Sequence, residues 1–240
     1  MGVRGAAYRG WTDRHRRPPS TPRVPSQHCN LDQRQYTPRG ICSERVRSGY
    51  DGTMTEYAQR FASIANQFTD RVDAVSTQAW NNPSPCQGWA ARDIVAHLVE
   101  WIPGFFTNTA ELTFPVGPSV ERDPVGAWAN LRDTLQGFLD DPAIALHEFD
   151  APMGRMSVEQ AIDMIVTGDV FLHTWDLARS AGLDETLDPI EVVRMFQGME
   201  PMDEALRASG HYGPRLIVPD SADPQTKLLA FVGRDGTRNS

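Results

Sequence analysis

Apolar residues return every three or four positions along most of this chain, and turn-forming residues interrupt them at regular intervals. From Thr55, the residues Tyr57, Phe61, Ile64, Phe68, Val72 and Val75 make one helical stripe. The loop "NNPSPCQG" then breaks the pattern with two prolines and a glycine. A second helix is predicted from about Ala90 to Phe106, with Ile94, His97, Leu98, Trp101 and Phe105 on one face. Pro103 and Gly104 are expected to bend or end it. Asp123-Pro124 supplies an N-cap and a first helical residue for a third helix. That helix carries Val125, Trp128, Leu131, Leu135 and Phe138 and stops near Asp141-Pro142.

Ser157-Val-Glu-Gln160 reads as a capping box opening a fourth helix, which Gly182 is placed to terminate. Asp188-Pro189 starts a fifth helix to about Ala208, kinked or broken at Pro201. The tail is mostly loop, with a turn or two of helix around 225–232. No strand alternation persists, although Leu216-Ile-Val218 could extend briefly. Four amphipathic helices on modest connections predict an all-α four-helix bundle with an additional C-terminal helix and a loop-rich tail.

Composition divides the chain further. Residues 1–53 show no sustained period and are dense in Arg, Pro, Ser, Gly and Gln, so little structure is expected there. They carry ten arginines against four acids, whereas the remainder carries 13 basic and 27 acidic residues. The expected organisation is a basic N-terminal extension over 1–53, with Met54 as the natural start, a bundle over 54–182, and a C-terminal helix and tail over 183–240 packing on it. An acidic body argues against a nucleic-acid surface. No apolar run is long enough to span a bilayer, and the Arg-rich start lacks the apolar core of a secretory signal. A cytoplasmic location is the expectation. Cys29, Cys42 and Cys86 are too few for a disulfide framework or a zinc knuckle, and Cys86 reads as a reduced structural thiol.

The fourth helix contains a contradiction. Its inward stripe is Val158, Ala161, Ile162, Ile165, Asp169, Leu172/His173 and Asp176, so two acids and an imidazole lie on a side that must be buried. Asp169 and His173 are four residues apart and share a face. His97 lies on the apolar face of another helix. Buried polar groups must satisfy one another or bind something. Two imidazoles and a carboxylate suit zinc, nickel or iron(II), and would leave open coordination positions. A structural hydrogen-bond network accounts for the same residue types. Asp176 could orient His173, but pairing with Arg179 or Arg92 is the preferred reading. Trp101 and Trp175 could line a pocket near the metal and Glu100 could reach the site edge, but core positions for the two tryptophans and a solvated one for Glu100 are the preferred readings. His147, His211, His15 and His28 receive no role. Phosphate loops, a nucleophile elbow and a His-Glu-x-x-His motif are absent from the sequence.

Two blocks carry a resemblance. "PCQGWAARDIVAHLVEW" (85–101) followed by "GDVFLHTWDLARSAG" (168–182) resembles the paired signatures of the DinB/YfiT-like helical metalloenzymes, in the actinobacterial branch related to mycothiol-dependent maleylpyruvate isomerase. The ending "ASGHYGPRLIVPDSADPQTKLLAFVGRDG" (208–236) resembles the C-terminal block of a metal-binding group in that branch. The resemblance implies an up-down-down-up bundle. It also implies a divalent metal held by a His on the second helix and an acid–x3–His pair on a later one, here His97, Asp169 and His173. Asp169 stands where the isomerase branch has Glu. Ala90 replaces the usual Thr or Ser N-cap, at a cost of ~1 kcal/mol.

Relatives of this kind imply transfer or addition reactions of low-molecular-weight thiols such as mycothiol, bacillithiol or glutathione. The expected function is a metal-dependent thiol transferase or isomerase acting on a small-molecule substrate, with zinc as the foremost ion. A non-catalytic helical binding module and a metal-dependent hydrolase are the other readings. Neither nucleic acid nor membrane is an expected partner. A homodimer through an exposed bundle face is allowed.

Overall fold

The computed structural model describes residues 54–210 and 212–237. The expectations for residues 1–53, and His211, lie outside the described residues.

Four long helical elements form where the stripes place them. Helix α1 is Glu56–Ala74, capped by the Thr55 hydroxyl, and it buries Phe61, Ile64, Phe68 and Val72. Helix α2 is Ala91–Thr109. Its start needs no Ser or Thr, because the Asp93 carboxylate accepts the Ala90 N–H at 2.8 Å, which is one half of a capping box. Of the two expected effects of Pro103, a bend or an end, the end does not occur, and α2 runs three residues past Phe106. Pro103 removes one backbone hydrogen bond, but buried Ile102, Phe105 and Phe106 around it keep the segment helical to Thr109. Helix α3 is Pro124–Asp140, with the Asp123 carboxylate accepting from Gly126. Its stripe is rotated slightly from the expected one. Val125 is exposed, and Ala127 and Leu139 are core residues instead.

A short helix α4, Pro142–Ala145, leads into an unexpected antiparallel hairpin of β1, Glu148–Ala151, and β2, Gly154–Ser157. Four-residue strands are too short for alternation to stand out in sequence. Phe149 and Met156, which pair across the hairpin, are the large apolar residues on its buried face. Leu216 to Val218 form no strand; Leu216 N–H instead donates to the Ala230 carbonyl.

The Ser157–Gln160 capping box forms as expected and opens α5, Val158–Ala161. The helix does not run on regularly. Ile162–Val166 is a π-helical turn, and α6 follows as Thr167–Ala181, closed by Gly182 in the left-handed conformation (φ 69°). A π turn widens the helix and leaves carbonyls in need of partners. Arg60 on α1 donates to the Asp163 carbonyl and carboxylate, and it also holds Glu191.

Cross-links define the helix directions. Arg60 near the start of α1 meets Asp163 before α6, and Arg71 near the end of α1 meets the backbone of Asp184 just after α6, so α1 and α6 are parallel. Arg92 at the start of α2 pairs with Glu121 just before α3, so α2 and α3 are parallel. Asn82, which precedes α2, bonds the Ser180 carbonyl at the end of α6, so α2 and α6 are antiparallel. Trp128 early in α3 donates to Thr69 late in α1. The result is an all-α up-down-down-up bundle. Helix α7, Pro189–Met199, breaks at Pro201 as expected into a 3-10 turn, Glu200–Met202, and α8, Asp203–Ser209. Helix α9, Pro224–Phe231, packs on α7 through the Phe196 and Phe231 rings.

Candidate metal centre

Antiparallel packing of α2 against α6 brings His97 opposite Asp169 and His173. His97 Nε2 lies 3.3 Å from Asp169 Oδ2, and His173 Nε2 lies 3.5 Å from Asp169 Oδ1. One ligand atom from each of the three falls within 4.8 Å of the others. The cluster is buried on one side and open on the other. The His173 side chain is 0% exposed, whereas those of His97 and Asp169 are 25% and 27% exposed.

His173 is held from behind. Its Nδ1 lies 2.8 Å from Asp176 Oδ2, in full burial. Its Nε2 is buried and has no hydrogen-bond partner among the described residues; Asp169 is near, at 3.5 Å. A buried ring nitrogen left unmatched is costly. One nitrogen fixed by a carboxylate and the other turned into a cluster of donors is the arrangement of a metal-ligating histidine. The residues therefore fit a divalent cation: two imidazoles and a carboxylate converge, and the atom without a partner points among them. Zinc, nickel and iron(II) share this donor preference.

Asp176 was expected to pair with Arg179 or Arg92. Its partner is Arg234, from the far end of the chain. Arg234 Nε donates to Asp176 Oδ1 at 2.8 Å and Nη2 donates to Oδ2 at 2.6 Å, a two-pronged buried pair. Arg179 instead lies over Trp175 and pairs with Glu185, while Arg92 pairs with Glu121. Gly233 makes this reach possible. It has φ 83°, and a Cβ there would meet the Gly213 backbone at 3.0 Å. This close crossing puts Arg234 under the site. Arg234 and its helper glycine lie in the block 208–236 and had only that resemblance to signal them. No periodicity links positions 58 residues apart.

Cys86, His173 and Asp176 form a second grouping with metal-ligating side chains. Cys86 Sγ donates to Asp176 Oδ2 at 3.5 Å. The Arg234 guanidinium already occupies both oxygens of Asp176, so a cation is already present there.

Aromatic rings wall the cluster. Trp89 lies 5.0 Å from the His97 ring and stacks on His173 at 6.0 Å. Trp101, expected as core, is half-buried, and its indole N–H donates to Asp169 Oδ2 at 3.0 Å. Trp175 is core as expected, and Glu100 is exposed.

Charge pairing overrides burial here. Burial raises the Asp169 carboxyl, but the His173 charge and the His97 hydrogen bond bring it below its ordinary range. Burial lowers His173, but Asp169 and the Asp176 hydrogen bond push it up to about 10. Burial raises Asp176, and Arg234 and His173 nevertheless hold it well below the usual carboxylate range. The Tyr212 phenol is pushed up to about 12, by burial first and then by the Asp169 charge. It stays protonated beside the site.

The comparisons agree with the architecture. No solved structure matches the chain. An uncharacterized protein of Mycobacterium tuberculosis, present in two strains, is 26% identical over 155 residues, covering 63% of this chain and 83% of the relative. The model of the mycothiol maleylpyruvate isomerase N-terminal domain matches residues 61–178, a span that contains His97, Asp169, His173 and Asp176. Over those residues, the chain belongs to the mycothiol maleylpyruvate isomerase N-terminal domain family.

Proposed function

We propose that the protein binds one divalent ion, zinc foremost, through His97 Nε2, the Asp169 carboxylate and His173 Nε2, and uses it in a thiol-dependent transfer or isomerisation of a small molecule. The observation that carries this reading is the buried His173 Nε2, which has no hydrogen-bond partner among the described residues while Nδ1 is bound by Asp176. Membership of the isomerase-related family supports the choice of a mycothiol-type thiol.

An ion held by these residues would supply Lewis acidity, which would favour thiolate over thiol at neutral pH. The protein's own groups do the rest. Asp176 accepts from His173 Nδ1, fixing the tautomer that leaves Nε2 as a donor to the metal. Arg234 balances the Asp176 charge so that the carboxylate remains ionised in burial. Trp89 packs against both imidazole rings. The exposed edge of His97 and Asp169 is the side from which thiol and substrate enter. Tyr212 brings a protonated hydroxyl within the field of Asp169.

The test is metal analysis of purified, untagged protein beside His97→Ala and His173→Ala, followed by a panel of thiols added to cobalt-substituted protein. The reading requires about one ion per chain, its loss in both variants, and a change in the cobalt spectrum with thiol. Metal content unchanged by both substitutions would eliminate the site. Turnover of substrate without added thiol would replace transferase chemistry with hydrolysis.

A further inference from the structure

Asp169 has two oxygens in different surroundings. Oδ2 accepts the Trp101 indole N–H at 3.0 Å and also faces His97 Nε2 at 3.3 Å. Oδ1 faces His173 Nε2 at 3.5 Å, the nitrogen without a hydrogen-bond partner among the described residues. The donor is on α2 and the acceptor on α6, so the bond crosses the same helix pair that assembles the cluster. Trp101 is one turn beyond His97 on α2, and the two rings are 6.0 Å apart. One helix face thus presents a ligand and, four residues later, a clamp for the carboxylate on the other helix.

A carboxylate can bind a cation through one oxygen or both. With one lone-pair direction of Oδ2 taken by an indole N–H, one-oxygen binding through Oδ1 becomes the favoured mode. The shortness of Asp matters here. One methylene leaves little freedom for the carboxylate to swing, so a single hydrogen bond sets its rotation. From this we infer that Trp101 is a positioning residue: it holds Asp169 as a one-oxygen ligand and so keeps coordination positions open for the incoming thiol. This rests on the metal reading proposed above and assigns the residue that determines how its carboxylate binds.

The test compares wild type with Trp101→Phe, which keeps a ring but removes the N–H, and with Trp101→Gln, which offers an N–H without the ring. Zinc affinity is measured by competition with a chromophoric chelator, and cobalt(II)-substituted samples are read by visible absorption. Unfolding of the chelated proteins is recorded to separate folding from binding. The expected result is zinc binding weakened about 10–100-fold in Trp101→Phe, the usual effect of losing an outer partner of a ligand. Its cobalt absorption should weaken as the second oxygen joins, and Trp101→Gln should recover part of both losses. If Trp101→Phe lowers folding stability, the indole N–H signal of ¹⁵N-tryptophan-labelled wild type decides. Slower hydrogen exchange on zinc addition supports the clamp, and unchanged exchange overturns it. Wild-type affinity and cobalt spectrum in a folded Trp101→Phe overturn the positioning role while leaving the metal reading intact. No zinc uptake by wild type overturns both.

Discussion

Asp176 Oδ2 lies 2.8 Å from His173 Nδ1 and 2.6 Å from Arg234 Nη2, so one buried oxygen joins His173 to the C-terminal segment. Asp176 to Asn weakens the first link and unbalances the second. Zinc affinity should fall about 10–100-fold, as for other outer-shell losses, in a chelator competition assay.

Removing Arg234 leaves Asp176 charged and buried without its counter-ion. Breaking one side of such a pair costs about 3–5 kcal/mol. Arg234→Ala should lose that much in urea unfolding of the chelated protein. The double variant Asp176→Ala/Arg234→Ala should lose less than the sum of the single losses, since the partners share one interaction. Additive losses would show that the pair is not coupled.

The pH dependence follows from the direction of each shift. His173 is raised from 6.5 to about 10, so the folded state holds its proton more tightly than the unfolded chain does. The stability this contributes is complete below 6.5 and lost as pH rises through about 10. Asp169 and Asp176 are lowered from 3.8, so their contribution is present above 3.8 and lost as pH falls through their depressed values. Chelated protein should therefore melt highest between these limits and progressively lower toward alkaline pH. Zinc needs neutral His173, so binding should release its proton and tighten as pH rises. Calorimetry at neutral pH in buffers of different ionisation enthalpy reads that proton directly. A pH-independent zinc affinity would contradict the assignment of His173.

Gly233→Ala forces a side chain into a left-handed backbone position against Gly213. The folding cost should exceed about 1 kcal/mol, and zinc binding should weaken as well, because residue 233 sets the approach of Arg234. Gly104→Ala, where an added Cβ meets nothing within 4 Å, is the control and should leave zinc binding unchanged.

The sequence made the bundle legible because each long helix combines a single apolar stripe with a local start signal. Asp123-Pro124 and Ser157–Gln160 are decided by chemistry within four residues. His97, Asp169 and His173 stood out for the converse reason: they are polar residues on stripes that must be buried. The π turn at Ile162–Val166 was not legible, because its fit depends on Arg60, 103 residues from Asp163 in the chain. Arg234 was missed for the same reason. Arg92 and Arg179 were the arginines in view for Asp176, and only folding shows that these are engaged by Glu121 and Glu185. Trp101 had the spacing of a core aromatic, and nothing in the spacing reveals that its indole N–H faces a carboxylate.

The central claim is the ion itself, and anomalous X-ray scattering at the zinc edge from crystals of the zinc-treated protein tests it most directly. The account predicts one anomalous peak between α2 and α6, about 2.0–2.2 Å from His97 Nε2, one oxygen of Asp169 and His173 Nε2. No peak there in zinc-treated crystals, with His173 Nε2 hydrogen-bonded to a water or a side chain instead, would contradict it.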